Sequence, residues 1–407
     1  MNIAIFTDTY RPEINGVITS IDLFRKQLQE RGHTVYLFCP DYKRSAGTDP
    51  HVFRFPSVRY FFPMMKERRF VFPSLALWRT FKKLDVDIIH SQVPANTGAY
   101  ALVLSWWFRI PHVHTYHTLF MEYTHYMPMP HALTVRLVKW ISRKYCGRCQ
   151  RVVSPSIRIK EEIIGYGVDA PIDIIPTGIE VIPDRVFVDP AKLKAQYHIP
   201  TDKKLLTFVG RLGREKNVNF LLQVLADLRV VRKDLHLVIV GDGPDRPPMQ
   251  KLAAKLGITD AVTFTGYMKR EQVFSIFHMS ELFVFASVTE TQGLVLLEAM
   301  SVGTPCVAVD AMGVGDLLSD HRGGILTRLS VPEFCRRVDE LLSDGKLYAT
   351  KKREALEKAK EWSVEVMTDR LERCFLQSIS DFRRHGLPRH SRRRRRLFSR
   401  PLPPRTP

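Results

Sequence analysis

The chain has 407 residues, 45% of them hydrophobic and 25% charged, which is ordinary for a globular protein and enough for two cores. Its longest apolar stretch, Ala99 to Phe108, is far short of the roughly 20 residues that cross a bilayer, so any membrane association is peripheral. The net charge of +19 is uneven: residues 1–180 carry 23 Lys and Arg against 15 Asp and Glu, residues 181–382 carry 28 against 27, and residues 383–407 carry ten Arg and no acid. An acidic partner, anionic lipid or nucleic acid, is therefore expected at the N-terminal half and the tail.

The N-terminus, Met1-Asn-Ile-Ala-Ile-Phe6, lacks a basic leader region and runs straight into a strand, so a cytoplasmic protein is expected. Ile3–Phe6, a helix near Val17 to Arg31, Thr34–Phe38, Asp87–His90 and Val113–Tyr116 alternate as strand and helix, the pattern of a parallel sheet. Six scattered cysteines fit reduced thiols, and the lone Cys146-Gly-Arg-Cys149 reads as adjacent turns of a helix rather than a zinc site. After Ile174-Ile-Pro-Thr-Gly178 and a Pro- and Asp-rich stretch, a second series begins: Leu205–Val209, Leu235–Val240, Val262–Phe264, Leu282–Ala286 and Pro305–Val309. The boundary falls near 178–190, giving domains at 1–180 and 181–362. A helical segment over about Val331 to Phe382 is punctuated at Trp362-Ser363, where the chain turns back, so that residues 363–382 join the first domain. Residues 383–407, with five consecutive Arg, read as a disordered basic tail.

Ligands of parallel α/β sheets bind beyond the carboxyl ends of the strands, which directs attention to four loops. Thr7 to Gly16 leads into a helix whose first turn can meet a phosphate. Gly210-Arg211-Leu-Gly213-Arg-Glu-Lys216 offers an Arg fork and a Lys point charge, the alternative being two solvated cations. Gly241-Asp-Gly243 ends a strand without the third glycine of a dinucleotide fingerprint, so NAD is not supported. Glu290 follows a buried strand, and Glu298, with seven residues between them, lies on the next helix, so the two carboxylates can face one ligand.

Gly210-Arg211 with Lys216, Gly241-Asp-Gly243, and Glu290-(x7)-Glu298 followed by Gly303-Thr-Pro305, in this order, resemble the retaining family-4 glycosyltransferases of the GT-B fold, up to about residue 382. The resemblance implies α/β architecture with two Rossmann-like domains, their parallel sheets facing across a cleft that holds a nucleotide-sugar. It implies that Arg211 and Lys216 neutralise the diphosphate, that Glu290 bonds the donor sugar's hydroxyls, and that Gly293 and Leu294 offer backbone amides. Glu298 would take the ribose hydroxyls, Gly16 would bring a backbone against the diphosphate, and Gly241 would pass close to the base. His117, in His112-Val-His-Thr-Tyr-His117, matches a histidine near the sugar and acceptor; His112 and His114, alternating on a strand, read as structural. The family implies no metal and no cofactor beyond the donor substrate. No residue is an evident covalent nucleophile, which favours departure and attack on one face of an oxocarbenium-like centre.

Thr289-Glu290-Thr-Gln292-Gly293-Leu294, Phe6 to Gly16 and His114-Thr-Tyr-His117-Thr are similar to bacterial diacylglycerol α-glucosyltransferases. Gln292 occupies a donor-site position where many relatives carry an aromatic residue. UDP-glucose and the 3-hydroxyl of diacylglycerol are then the implied substrates, on the inner face of the cell membrane. Independently, residues 59–83 carry seven cations, many aromatics and one acid, the composition of an interfacial helix; Lys66, Arg68, Arg69, Trp78, Arg79, Lys82 and Lys83 are its lipid-facing candidates. The bland alternative puts Phe70, Leu75, Leu77 and Trp78 in the core. Arg136 to Lys160 adds eight cations and no acid. Rival acceptors are phosphatidylinositol, a polyprenyl-linked sugar or a soluble glycan. Nucleic-acid binding has no recognition motif or stacking platform to support it.

Overall fold

In a computed structural model, the chain forms two compact units, Met1–Ile175 together with the segment from Thr368, and Pro176–Met367. The structure describes residues 1–13, 15–42, 49–59, 69–72, 74–94, 96–117, 130–180, 187–290 and 292–388. Lys66, Arg68 and the Arg-rich run of the tail lie outside these residues.

The first unit is built on a parallel sheet of β1 (Asn2–Phe6), β2 (Thr34–Pro40), β3 (Val52–Phe55), then, past a short antiparallel pair β4 (Ser57–Arg59) and β5 (Arg69–Val71), β6 (Ile88–Ser91), β7 (His112–Thr115), β8 (Arg151–Ser154) and β9 (Ile172–Ile174). The sheet order is β3-β2-β1-β6-β7-β8-β9, so the chain reverses its direction of travel across the sheet between β1 and β6. Rings from successive strands stack on one side: Phe6 and Phe38 lie 4.6 Å apart, and Phe81 of the helix Leu75–Lys83 closes against Phe6 at 6.1 Å. Each such buried ring contributes about 2 kcal/mol by removal from water.

The second unit has β10 (Lys204–Val209), β11 (Leu235–Val240), β12 (Val262–Gly266), β13 (Leu282–Phe285), β14 (Cys306–Val309) and β15 (Gly324–Thr327), in the order β12-β11-β10-β13-β14-β15. Strand β13, Leu-Phe-Val-Phe, is buried on both faces, as a central parallel strand covered by helices must be. The helix Val218–Val231 lays Leu221, Leu222, Leu225 and Leu228 on the core at helical spacing. Here the reversal falls between β10 and β13, and this positions the site.

The helical end of the chain is Val331–Ser343, Gly345–Glu361 and Val364–His385. It is interrupted at Asp344 as well as at Trp362-Ser363. The Asp344 carboxylate accepts from Lys346 and Leu347 N–H and starts a new helix, a side-chain cap that helical periodicity alone does not reveal. At the second break Ile179 N–H donates to Trp362 O and Val364 N–H to Ile179 O. The segment beyond 368 is tied into the first unit by Arg31 with Asp369 and Glu372, by Arg151 with Asp381 at 3.1 Å, and by Gln150 Nε2 to Gly386 O at 2.8 Å.

The expected single interfacial helix over 59–83 is corrected: Ser57–Arg59 and Arg69–Val71 pair as strands, and among the described residues of this stretch only Leu75–Lys83 is helical. Similarly, Arg136–Lys160 divides into the end of the helix His131–Cys146, strand β8 and the start of the helix Ile157–Gly165. Cys146 ends its helix and Cys149 lies in the turn beyond, so the pair does not occupy adjacent turns. Both thiols are buried, which pushes the Cys146 pKa up to about 12.

Candidate active site

In the second unit, the loops that leave β10 and β13 flank the point where the sheet order reverses. They are joined there by an ion pair between Lys216 Nζ and Glu290 Oε1, with both side chains about four-fifths buried. Ser287 Oγ donates to Glu215 O at 3.1 Å, and Gly313 N–H to Glu290 O at 2.8 Å, so both loops are held in place by backbone contacts. Lys216 ends a single 3-10 turn, Arg214–Lys216, closed by Asn217 in the left-handed conformation. Arg211 is exposed at the start of the same loop and takes part in no ion pair among the described residues.

Gly293 has φ +79° and opens the helix Leu294–Ser301. A Cβ there would stand 3.2 Å from Val314 Cγ2, so both torsion and space favour glycine. The first-turn amides at Leu294 have no intrahelical acceptor, which gives this loop donors beside Glu290. Glu298 sits one turn further along that helix, half-buried; burial raises its pKa, and the charge of Arg270 opposes the rise. Arg270 pairs with Glu180 at 3.4 Å, and neither residue carries a sequence signal that marks it out.

Gln292 is 6% exposed and both ends of its amide meet Thr177: Oε1 accepts from Thr177 N–H at 2.8 Å, and Nε2 donates to Thr177 O at 2.6 Å. Its side chain thus holds the Pro176–Gly178 segment against the Glu290 loop. Gly241 likewise serves packing: with φ +126°, a Cβ on it would lie 2.0 Å from Gly210 O, so the backbones leaving β10 and β11 touch only because this residue is glycine.

In the first unit, Asn15 caps the helix Gly16–Glu30 by accepting from Ile18 N–H, and among the described residues nothing lies within 4 Å of a Cβ built on Gly16. Asp8 Oδ1 accepts from Thr97 N–H at 2.8 Å across the β1 and β6 loops. His117 follows β7; its Nε2 lies 2.5 Å from Gln92 Oε1. His112 Nε2 and His114 Nδ1 both meet Ser91 Oγ, at 2.7 and 2.9 Å, and Tyr145 OH donates to the same oxygen. Burial lowers the His112 pKa to about 3 and that of His117 to about 4. Among the described residues, no group of three His, Cys, Asp or Glu is placed to hold a metal ion.

On the surface of the first unit, Arg79, Lys82 and Lys83 project from the helix Leu75–Lys83, with Lys82 Nζ 6.0 Å above the Trp78 ring. Leu75 is 76% exposed and Leu77 buried, while Trp78 is half-buried. Arg69 is tied down instead, donating to Ser57 Oγ and O and stacked over Tyr42. The neighbouring helix Thr97–Phe108 turns Val103, Trp106 and Trp107 outward, the tryptophans 66% and 60% exposed. Trp107 touches Trp78 edge-on at 6.3 Å. This apolar stretch is too short to span a bilayer, and its outward spacing at i, i+3 and i+4 is the signal of this surface that the sequence carries. No helix among the described residues is long and apolar enough to cross a membrane.

Two doubly wound units are the architecture of the GT-B class, and the family matches identify a glycosyltransferase. The Glycosyl transferases group 1 family matches residues 189–362, and Glycosyltransferase Family 4 matches residues 14–181. The chain is 32% identical over 332 residues to the alpha-monoglucosyldiacylglycerol synthase of Streptococcus pneumoniae, covering 80% of this chain and 75% of that protein. It is 27% identical over 390 residues to the enzyme of the same name from Acholeplasma laidlawii, covering 93% and 98%. A GDP-mannose-dependent alpha-mannosyltransferase of Corynebacterium glutamicum is 29% identical over 346 residues, covering 82% and 78%. Among solved structures, HepE of Anabaena in complex with UDP-glucose superimposes with a TM-score of 0.69 at 18% identity, over 93% of this chain and all of that one. The chain belongs to the family-4 glycosyltransferases.

Proposed function

We propose that the protein transfers glucose from UDP-glucose to the 3-hydroxyl of 1,2-diacylglycerol, with retention, at the inner surface of the cell membrane. The observation that carries the acceptor is the similarity to alpha-monoglucosyldiacylglycerol synthase along 98% of the Acholeplasma laidlawii protein. The tryptophan-edged cationic surface of the first unit supports a lipid-borne substrate, because indole rings and Lys side chains favour the bilayer interface.

In this reading Lys216 and Arg211 hold the diphosphate, and Glu290 takes donor-sugar hydroxyls while orienting Lys216. The Gly293 and Leu294 amides and Glu298 complete the donor site. The bond from the anomeric carbon to the phosphate oxygen breaks as the acceptor oxygen approaches on the same face. The acceptor's proton passes to the departing phosphate, whose growing negative charge the two cations stabilise. No metal is needed, because these cations supply the charge.

The test is transfer of radiolabelled glucose from UDP-glucose to diacylglycerol in mixed micelles, with and without phosphatidylglycerol, using Glu290→Gln as the blank. A labelled glycolipid that depends on anionic lipid is the expected product. The mannosyltransferase relative favours a second reading, mannose from GDP-mannose, and labelled product in a parallel GDP-mannose arm alone would replace the first.

The surface makes its own prediction. Lys82→Ala with Lys83→Ala should weaken sedimentation with phosphatidylglycerol vesicles by roughly 30-fold, at about 1 kcal/mol per cation. UDP-glucose binding should be unaffected; unchanged vesicle binding would remove this surface from the lipid interface.

A further inference from the structure

We infer that Gln92 is a positioning residue that fixes the ring orientation and tautomer of His117, so that His117 presents a bare Nδ1 lone pair to the substrate hydroxyls. This rests on the reading of His117 as a group that meets the sugar or the acceptor.

The two-residue period of a strand separates the histidines of this sheet into two sets. His90 and Gln92, at the end of β6, share a face with Thr115 and His117 at the end of β7, because His90 is in register with Val113. Ser91, His112 and His114 belong to the opposite face, where Ser91 Oγ binds both rings. His117 is therefore connected to Gln92 and not to the second set.

Gln92 is held at the switch point of the first unit. Its backbone N–H donates to Phe6 O at 2.9 Å, and its side chain is buried, the whole residue 4% exposed. An amide oxygen only accepts and an amide nitrogen only donates. With Oε1 turned to His117 Nε2 at 2.5 Å, this orientation of the amide assigns the ring proton to Nε2. The Gln92 Nε2 group faces the His90 ring at 3.2 Å, and His90 Nε2 is 2.7 Å from Thr115 Oγ1, which locks the amide in turn.

Glutamine rather than a carboxylate at this place has a chemical meaning. A carboxylate would pull His117 toward imidazolium, whereas the neutral amide leaves burial to hold the ring neutral. Among the described residues, the titratable side chains coupled electrostatically to His117 are His90 and His114, both themselves driven neutral by burial. A neutral ring with a free Nδ1 accepts a hydrogen bond from a hydroxyl and does not act as an acid.

The experiment combines nitrogen-15 NMR of the histidine rings with steady-state kinetics on the full chain, for wild type, Gln92→Leu, Gln92→Glu, His117→Ala and His117→Ala with Gln92→Leu. The wild-type His117 ring should show the Nε2–H tautomer and stay neutral through pH 6. Gln92→Leu should abolish the tautomer preference and lower kcat by roughly a hundredfold, with little change in KM for UDP-glucose. Gln92→Glu should bring His117 titration into the range of pH 6–8 and add an acidic limb to the kcat profile. The double variant should be no slower than His117→Ala. Wild-type turnover in His117→Ala would overturn the catalytic reading of His117, yet leave the NMR arms as a test of the contact. An Nδ1–H tautomer, a His117 titration insensitive to Gln92→Glu, or a Gln92→Leu loss that adds fully to that of His117→Ala would overturn the positioning role.

Discussion

Lys216→Ala is expected to lower turnover by two or more orders of magnitude while the protein remains folded. Loss of one preorganised electrostatic contact to a developing charge removes roughly 3 to 4 kcal/mol of transition-state stabilisation. The same order of loss is expected for Glu290→Ala and Arg211→Ala. The Lys216–Glu290 pair also offers a way to separate chemistry from architecture, since its side chains are four-fifths buried and each would be left unpaired by a single change. In the exchanged variant, Lys216→Glu with Glu290→Lys, the ion pair is restored. Thermal stability should then recover while turnover does not, because the cation no longer stands on the β10 loop. Recovery of both would make the pair purely structural, and near-wild-type turnover in folded Lys216→Ala would remove that residue from the site.

Acidification from pH 7 to pH 5 is expected to destabilise the first unit by several kcal/mol. His90, His112 and His114 are almost wholly buried, and burial holds all three far below the ordinary histidine range, to about 3 for His90 and His112. Below pH 6.5 the unfolded chain takes up protons that the native state refuses. Stability therefore falls as pH drops from about 6.5 toward the native values, and at pH 5 each refused proton costs about 2 kcal/mol. The midpoint of urea unfolding, followed in Trp362→Phe so that all remaining tryptophans lie in the first unit, should move to markedly lower urea between pH 7 and pH 5. An unmoved midpoint would mean that these rings accept protons without opening the fold.

The central strands that pattern reveals are almost fully buried, and among the edge strands β12 is legible too, in Val262–Phe264. Strand β11 was legible end to end in Leu235–Val240, and β13 as an apolar run ending in a polar loop, because a central parallel strand has no solvent face to dilute its signal. Strands β3 and β9 lie at the sheet edges, where partial exposure breaks the apolar run and leaves no pattern to read. Strand β8 is only Arg-Val-Val-Ser, hidden inside a segment whose cations drew attention instead. At the site, Lys216 and Glu290 were legible as charged residues in loops that follow buried strands. The bidentate hold of Gln292 on Thr177 was not, since it joins residues 115 positions apart and neither one advertises the other. Gln92 escaped for the same reason: its meaning depends on which face of the sheet His117 occupies.

The route of the chain through its two units has a consequence for biosynthesis. The second unit is one continuous stretch, Pro176–Met367, whereas the first needs both Met1–Ile175 and the segment beyond Thr368. On the ribosome, the half made first must wait for residues as late as Asp381 and Gly386 before Arg151, already beside Asp173, gains its second carboxylate and Gln150 finds its partner. The half made second can close before then. Nascent β1 to β9, with the sheet face at His90 still without the ring of Phe375 that lies 5.2 Å from it in the finished fold, are thus the form of this protein most exposed to chaperones and to aggregation, and a truncation meant to remove the Arg-rich tail has to begin beyond Gly386.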